Sequence, residues 1–226
     1  RVLRTNFEFT IGTHPEQNVI VFTSFNPGSG KSHIAANMAM SLAIKKKKVL
    51  LIDGDLRHGS TSMLIHSPGE GLSDYLNGRI ADIHDILYKG EENGLVKGFD
   101  VIPIGTIPPN PTELLFTPLL EQMIKIMREE YDYVFIDCPP IEVVADTPIY
   151  EQFADRTIFV VRAGLMERSM LPEGNALYKE KKFKNMTLIL NGTKAQGGRY
   201  GSHYGYGYGY GYGYNYNKEK NGGAKS

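Results

Sequence analysis

Three features of this sequence point to an α/β architecture, a mostly parallel central sheet with helices on both faces. Short apolar runs recur along the chain, they alternate with longer segments of helical spacing, and the chemically distinctive residues fall just after the runs. The runs occupy 18–24 (NVIVFTS), 48–53 (KVLLID), 99–105 (FDVIPIG), 133–137 (YVFID), 156–161 (RTIFVV) and 186–191 (MTLILN). Most are unbroken Val, Ile, Leu and Phe instead of polar–apolar alternations, the pattern of strands covered on both sides. Helices are expected between them over 31–45, 112–130, 146–153 and 169–182. Strand, helix, strand in repetition places the strands in parallel with crossovers on both faces. Ligands of such sheets sit beyond the carboxyl ends of the strands.

Composition narrows the function. The chain has 226 residues, enough for one domain with a full core and no requirement for a second. Its formal net charge is zero, so no nucleic-acid partner is expected. The one cysteine, Cys138, excludes an internal disulfide, and its place in an apolar run marks it as buried and inert. No apolar run approaches the roughly 18–20 residues that span a bilayer, and the N-terminus lacks a signal-peptide layout. The chain opens on Arg1 without a methionine, so a fragment of a longer cytoplasmic protein is expected.

Domain organisation follows from a change in composition. Residues 1–196 carry the apolar runs and form the folded domain. Residues 197–226 contain no aliphatic core residues and alternate Tyr and Gly through their middle. Glycine loses much backbone entropy on ordering and offers nothing to bury, so this stretch is expected to be a flexible tail.

Four constellations carry chemistry. The first is SFNPGSGKS, 24–32, between a strand and a helix candidate. Gly28 and Gly30 let successive backbone N–H groups turn toward phosphate oxygens. Lys31 supplies charge to the β- and γ-phosphates, and Ser32 a hydroxyl for magnesium. A glycine-rich turn with an exposed lysine is the plainer reading, but the strand–loop–helix setting favours a phosphate loop, and with it a P-loop NTPase-like fold. The first glycine of the usual pattern is replaced by Phe25. The second is VLLIDGDLRHG, 49–59, where Asp53 and Asp55 end a buried strand and Arg57 follows. Carboxylates two apart on extended backbone share a face, so both are expected to converge on one magnesium–phosphate centre. The third is YVFIDCPP, 133–140, an apolar strand ending in Asp137, the Walker B arrangement for holding magnesium. The fourth is the set of tail phenols Tyr200, Tyr204, Tyr206, Tyr208, Tyr210, Tyr212, Tyr214 and Tyr216. They read either as an adhesive segment or as phosphate acceptors. Each phosphate adds about −1.5 to −2 charges, so full modification would bring roughly −12 to −16 to a neutral chain.

Together these segments resemble the cytoplasmic catalytic domain of the bacterial tyrosine kinases of polysaccharide synthesis and export. The likeness spans nearly the whole chain and extends to IPIGTIPPNPTELL (102–115) and IFVVRAG (158–164). It implies an ATP- and Mg2+-dependent protein-tyrosine kinase that autophosphorylates its tail, in trans within an oligomer, and so regulates exopolysaccharide or capsular polysaccharide synthesis or export. ATP would be held by Asn26, Pro27, Gly28, Ser29, Gly30, Lys31, Ser32 and His33, where His33 replaces the family's usual threonine. Magnesium would be organised by Ser32, Asp55 and Asp137. Asp53 would orient the acceptor hydroxyl and take its proton, with Lys31, Asp55 and Arg57 completing the catalytic set. Arg1 and Arg4 match the last two arginines of the family's E-x-x-R-x-x-R ring motif, whose glutamate would precede residue 1. The resemblance further implies a transmembrane activator, fused or separate, at the inner face of the bacterial plasma membrane, and a cognate tyrosine phosphatase.

Two other readings use the same residues. A partitioning or Min-type ATPase shares the core motifs, but its loop reads K-G-G-x-G-K-[ST], and Asn26 and Pro27 stand where its extra lysine begins. An assembly module with an adhesive tail needs no catalysis at all.

Overall fold

The apolar runs form strands whose alternate residues enter two separate cores. The computed structural model describes residues 2–11, 16–65, 69–142 and 146–193. All belong to the first of two units into which the chain divides after Thr193. Arg1 and the tail tyrosines from Tyr200 to Tyr216 lie outside the described residues.

Seven strands make one sheet: β1 (Val19–Ser24), β2 (Val49–Asp53), β3 (Tyr88–Lys89), β4 (Phe99–Ile102), β5 (Tyr133–Asp137), β6 (Arg156–Arg162) and β7 (Thr187–Asn191). Their order is β3-β4-β2-β5-β1-β6-β7, with only the short edge strand β3 antiparallel. Side chains alternate across a strand. Thus Val19, Val21, Leu50, Ile52, Val134 and Ile136 enter one core, and Ile20, Phe22, Val49, Leu51 and Phe135 the other. A run buried on both faces has no polar positions to alternate with, which is why these strands read as continuous apolar segments.

Helix α2 (Lys31–Ala43) lies on the second face through Ala35, Met38, Ala39 and Leu42, and its small residues let it approach closely. Helix α1 (Val2–Ile11) packs beside it, where Phe7 meets the rings of Tyr133 and Phe135 edge-on. The first face is covered by α6 (Pro118–Glu130), with Leu120, Met123, Ile124 and Met127 at helical spacing. It is completed by α4 (Leu72–Leu76), a 3-10 turn at Ile83–Ile86, and α7 (Thr147–Glu151).

Several expected boundaries move. The helix expected over 112–130 is two, α5 (Pro111–Leu115) and α6, because Pro118 forces Thr117 into extended backbone at ψ 147. Strand 99–105 ends at Ile102, ahead of Pro103. The expected helix 31–45 stops at Ala43, with Lys46 turned to φ 64. The helix expected over 146–153 is confined to α7, and 169–182 becomes a 3-10 turn at Arg168–Met170 followed by α8 (Leu171–Lys179). Helices α1 and α4, the turn at Ile83–Ile86, strand β3, and α3 (Ser60–Leu64) were not anticipated from the sequence. Among the described residues no helix is long and apolar enough to cross a membrane.

Candidate active site

The phosphate-binding loop runs from the end of β1 into α2. Gly28 and Gly30 take φ 75 and 91, conformations that side-chain-bearing residues rarely adopt. The loop is braced from behind. The hydroxyls of Ser24 and Ser29 both donate to the Asn26 carbonyl (3.0 and 2.7 Å). Arg162 Nη1 donates to the Gly28 carbonyl (2.8 Å), and Asn191 Nδ2 to the Ser29 carbonyl (2.9 Å). With these carbonyls engaged, the amides of 28–32 and the unpaired first N–H groups of α2 remain for an anion. A Cβ on Gly30 would collide with the Asn191 amide. Phe25, standing where a glycine is usual, is buried against Phe159 with ring centroids 4.8 Å apart and faces Gly174 of α8. It anchors the loop base by packing.

Beneath the loop lies a column of buried polar groups. Lys31 Nζ is 3.3 Å from both Asp137 Oδ1 and Ser32 Oγ. The other Asp137 oxygen accepts from Thr61 Oγ1 (2.8 Å). Asp53 is the strand partner of Asp137 across the β2–β5 ladder. Both carboxylates are completely buried. Asp53 Oδ2 accepts from the Ser62 amide (2.6 Å) and hydroxyl (2.7 Å), while Oδ1 is buried with no hydrogen-bond partner. Burial, and then the neighbouring Asp137 charge, push the Asp53 carboxyl up to about 7. Gly54, between Asp53 and Asp55, is closely packed. A Cβ there would meet the Asp137 carbonyl at 3.1 Å and the Tyr150 ring at 3.2 Å.

The expectation that Asp53 and Asp55 share one face needs correction. The strand ends at Asp53. Asp55 lines the cleft, whereas Asp53 lies below it, capped by α3. Asp55 Oδ1 accepts from the amides of Arg57 and His58, both at 3.3 Å. Arg57 Nη2 donates to Thr112 Oγ1 (2.8 Å) and lies 3.5 Å from Asp146 Oδ2.

The cleft over this column holds about 580 Å3. Pro27, Gly28, Gly30, Lys31, Ser32 and His33 of the loop line it together with Asp55 and Arg57. Asn26 and Ser29 shape the loop from outside the cleft wall, and the Asn26 side chain bonds Glu142 (2.6 Å). A roomier groove of about 1150 Å3 lies among lysine and glutamate pairs such as Lys97–Glu91, near Tyr131. It contains none of the residues above, and it lies away from the strand ends where α/β ligands bind. Arg4, expected at a subunit interface, ties α1 to α2 by donating to the Ser41 carbonyl (3.2 Å) and hydroxyl (2.9 Å).

Sequence reasoning missed Thr61, Ser62, Thr112, Asp146, Arg162 and Asn191. Of these, Thr112 and Arg162 sit in segments noticed for their family likeness, Thr112 and Asp146 open expected helices, and Asn191 closes a recognised strand. The others carried no local signal. Among the described residues no cluster of three His, Cys, Asp or Glu side chains could hold a metal. The carboxylates of Asp55 and Asp137 and the hydroxyl of Ser32 offer instead a hard, oxygen-only and incomplete donor set, of the kind that suits magnesium. Residues of the site fit that group.

Residues 17–164 match the AAA domain family. The tyrosine-protein kinase CpsD of Streptococcus agalactiae is 33% identical over 203 residues, which cover 89% of this chain and 85% of CpsD. The putative tyrosine-protein kinase AmsA of Erwinia amylovora is 36% identical over 180 residues, 79% of this chain but only 24% of AmsA. The chain therefore spans about a quarter of that longer relative. The kinase domain of the Escherichia coli tyrosine kinase ETK superposes with a TM-score of 0.76 at 32% identity, covering 91% of this chain and 78% of that one. The septum site-determining protein MinD from Pyrococcus horikoshii, complexed with Mg-ADP, shares the fold at a TM-score of 0.62 and 23% identity, over 76% of this chain and 69% of that one. With its phosphate loop, paired strand-end aspartates and mostly parallel sheet, the chain belongs to the bacterial tyrosine-protein kinases and carries their catalytic domain.

Proposed function

We propose that this domain transfers the γ-phosphoryl group of ATP to tyrosine hydroxyls of its own C-terminal cluster, the tail of one copy entering the cleft of a neighbour. The observation that carries the proposal is the column Lys31–Asp137–Asp53 under one cleft, with Asp55 on its rim. Phosphoryl transfer depends chiefly on positioning and charge stabilisation. Lys31 would exchange its Asp137 contact for the phosphates. Asp55, Ser32 and the released Asp137 oxygen would hold magnesium, which would supply positive charge to the phosphates. The phenolic oxygen attacks the γ-phosphorus, the bond to the bridging oxygen breaks, and the phenolic proton passes to Asp53 once the entering tail has moved α3 off that carboxylate. Asp53 Oδ1 lacks a partner, and a carboxyl poised near 7 suits a base at neutral pH.

The tail tyrosines, the ring contacts of Arg1 and Arg4, and a site at the inner membrane face beside a transmembrane activator belong to the same proposal. So do reversal by a tyrosine phosphatase and control of polysaccharide synthesis or export. The partitioning-type alternative is disfavoured by one feature: Asn26 stands at the position of the extra lysine and its side chain turns to Glu142, so it offers no cation across a dimer.

Incubating the full chain with γ-labelled ATP and magnesium tests the proposal. Label on tail tyrosines supports it, and free phosphate without label supports an ATPase. Lys31→Met and Asp53→Asn should each reduce labelling to background; labelling that persists in both refutes the site.

A further inference from the structure

Arg57 lies at the cleft rim because two side chains hold it there, and neither has a part in the chemistry above. Thr112 Oγ1 accepts from Arg57 Nη2 (2.8 Å) and donates to Asp146 Oδ1 (2.6 Å). The second Asp146 oxygen lies 3.5 Å from the same guanidinium. The direction of each bond is set by chemistry. An ionised carboxylate only accepts, so the one hydroxyl proton of Thr112 must go to Asp146, which turns an oxygen lone pair toward Arg57. Asp146 is 1% exposed, and a carboxylate that deep requires a compensating charge. Arg57 supplies it while remaining about one-third exposed to the cleft.

The three residues come from three separate loops. Arg57 follows β2, Thr112 lies in the first turn of α5 after β4, and Asp146 precedes α7 after β5. Strands β4, β2 and β5 are consecutive in the sheet, so their carboxyl-end loops are neighbours. Each member has limited freedom. Thr is β-branched and Pro111 starts its helix, while Asp146 sits directly before α7. A free arginine side chain carries about 2 kcal/mol of rotamer entropy. Anchoring Nη2 removes much of it before any ligand arrives, while Arg57 still lines the cleft.

We propose that Thr112 and Asp146 are positioning residues that aim the Arg57 guanidinium at the transferring phosphoryl group. The catalytic part of this inference rests on the kinase reading; the anchoring part does not. The clamp would act on the rate of transfer more than on nucleotide affinity, because the charge it steers matters most where charge shifts in the transition state.

The test compares Thr112→Val, which keeps the shape and loses the hydroxyl, with Thr112→Ser, which keeps the hydroxyl, and adds Asp146→Asn. Two readouts are taken on the full chain: tyrosine labelling with magnesium ATP, and the 15N resonance of the Arg57 side-chain Nε–H. In Thr112→Val and Asp146→Asn, labelling kcat should fall about 10-fold or more, equivalent to about 1.4 kcal/mol of barrier. Magnesium-ADP affinity should stay within about 2-fold. The Arg57 resonance should broaden or shift in both variants, and Thr112→Ser should behave like the parent in every readout. Parental labelling by Thr112→Val, a Thr112→Ser defect equal to that of Thr112→Val, or an unchanged Arg57 resonance each overturns the proposal. If the parent itself labels no tyrosine, the kinase reading fails, while the resonance still decides whether the clamp exists.

Discussion

Asp53 should make the metal-free protein less stable as pH rises, and Asp53→Asn should remove that loss. The folded-state carboxyl is raised from 3.8 to about 7, chiefly by burial and then by Asp137. A group whose folded value lies above its unfolded value stabilises fully below the unfolded value. That contribution fades as pH climbs and is gone once pH passes the folded value. At about 1.4 kcal/mol per unit, the loss between pH 4 and pH 8 totals roughly 4 kcal/mol. About 1.1 kcal/mol of it falls below pH 5, where the unfolded chain is already ionising. Asparagine keeps an acceptor for the Ser62 amide and hydroxyl but carries no charge. The stability of Asp53→Asn relative to the parent should therefore improve by roughly 2–3 kcal/mol between pH 5 and pH 8. Urea unfolding of both proteins in chelator at the two pH values measures this directly. Saturating magnesium-nucleotide should narrow the difference at pH 8, because a nearby cation favours the ionised carboxylate. A difference identical at both pH values would refute the placement of Asp53 as a desolvated acid.

Other consequences of the structure can be checked alongside. Gly30→Ala places a Cβ at φ 91 against the Asn191 amide; it should cost roughly 1–3 kcal/mol and weaken nucleotide binding at least about 10-fold. Adding Asn191→Ala should restore part of the stability in thermal unfolding, since the clash then disappears. Phe135 is fully buried, 4.9 Å from the Phe22 ring and 5.6 Å from that of Phe7. Phe135→Ala should destabilise by about 3–5 kcal/mol in the same denaturation assay, with any surviving folded fraction still binding nucleotide.

Much of the site was legible because its signals are local. GSGKS needs only the left-handed freedom of Gly28 and Gly30 and a helix start, both encoded within a few residues. Asp53 and Asp137 each end an apolar run, so the parallel sheet implied by alternation already placed them at one edge. Helix α3 was missed because five residues, STSML, are too short to show a period. Its ordering comes from outside the segment, through Ser62 on Asp53 and Thr61 on Asp137. The break between α5 and α6 is encoded by Pro118, which overrides the continuous apolar spacing of 112–130.

From the sequence alone came the layered α/β class, the strand cores, the phosphate loop and the aspartates that serve it, because each rests on propensity or periodicity within a short window. Tertiary structure alone decided the depth of Asp53 below Asp55, its elevated proton affinity, the bracing of the loop by Arg162 and Asn191, and the hold of Thr112 and Asp146 on Arg57. These depend on desolvation and on partners from distant segments, and both arise only when the sheet sets its strand ends side by side.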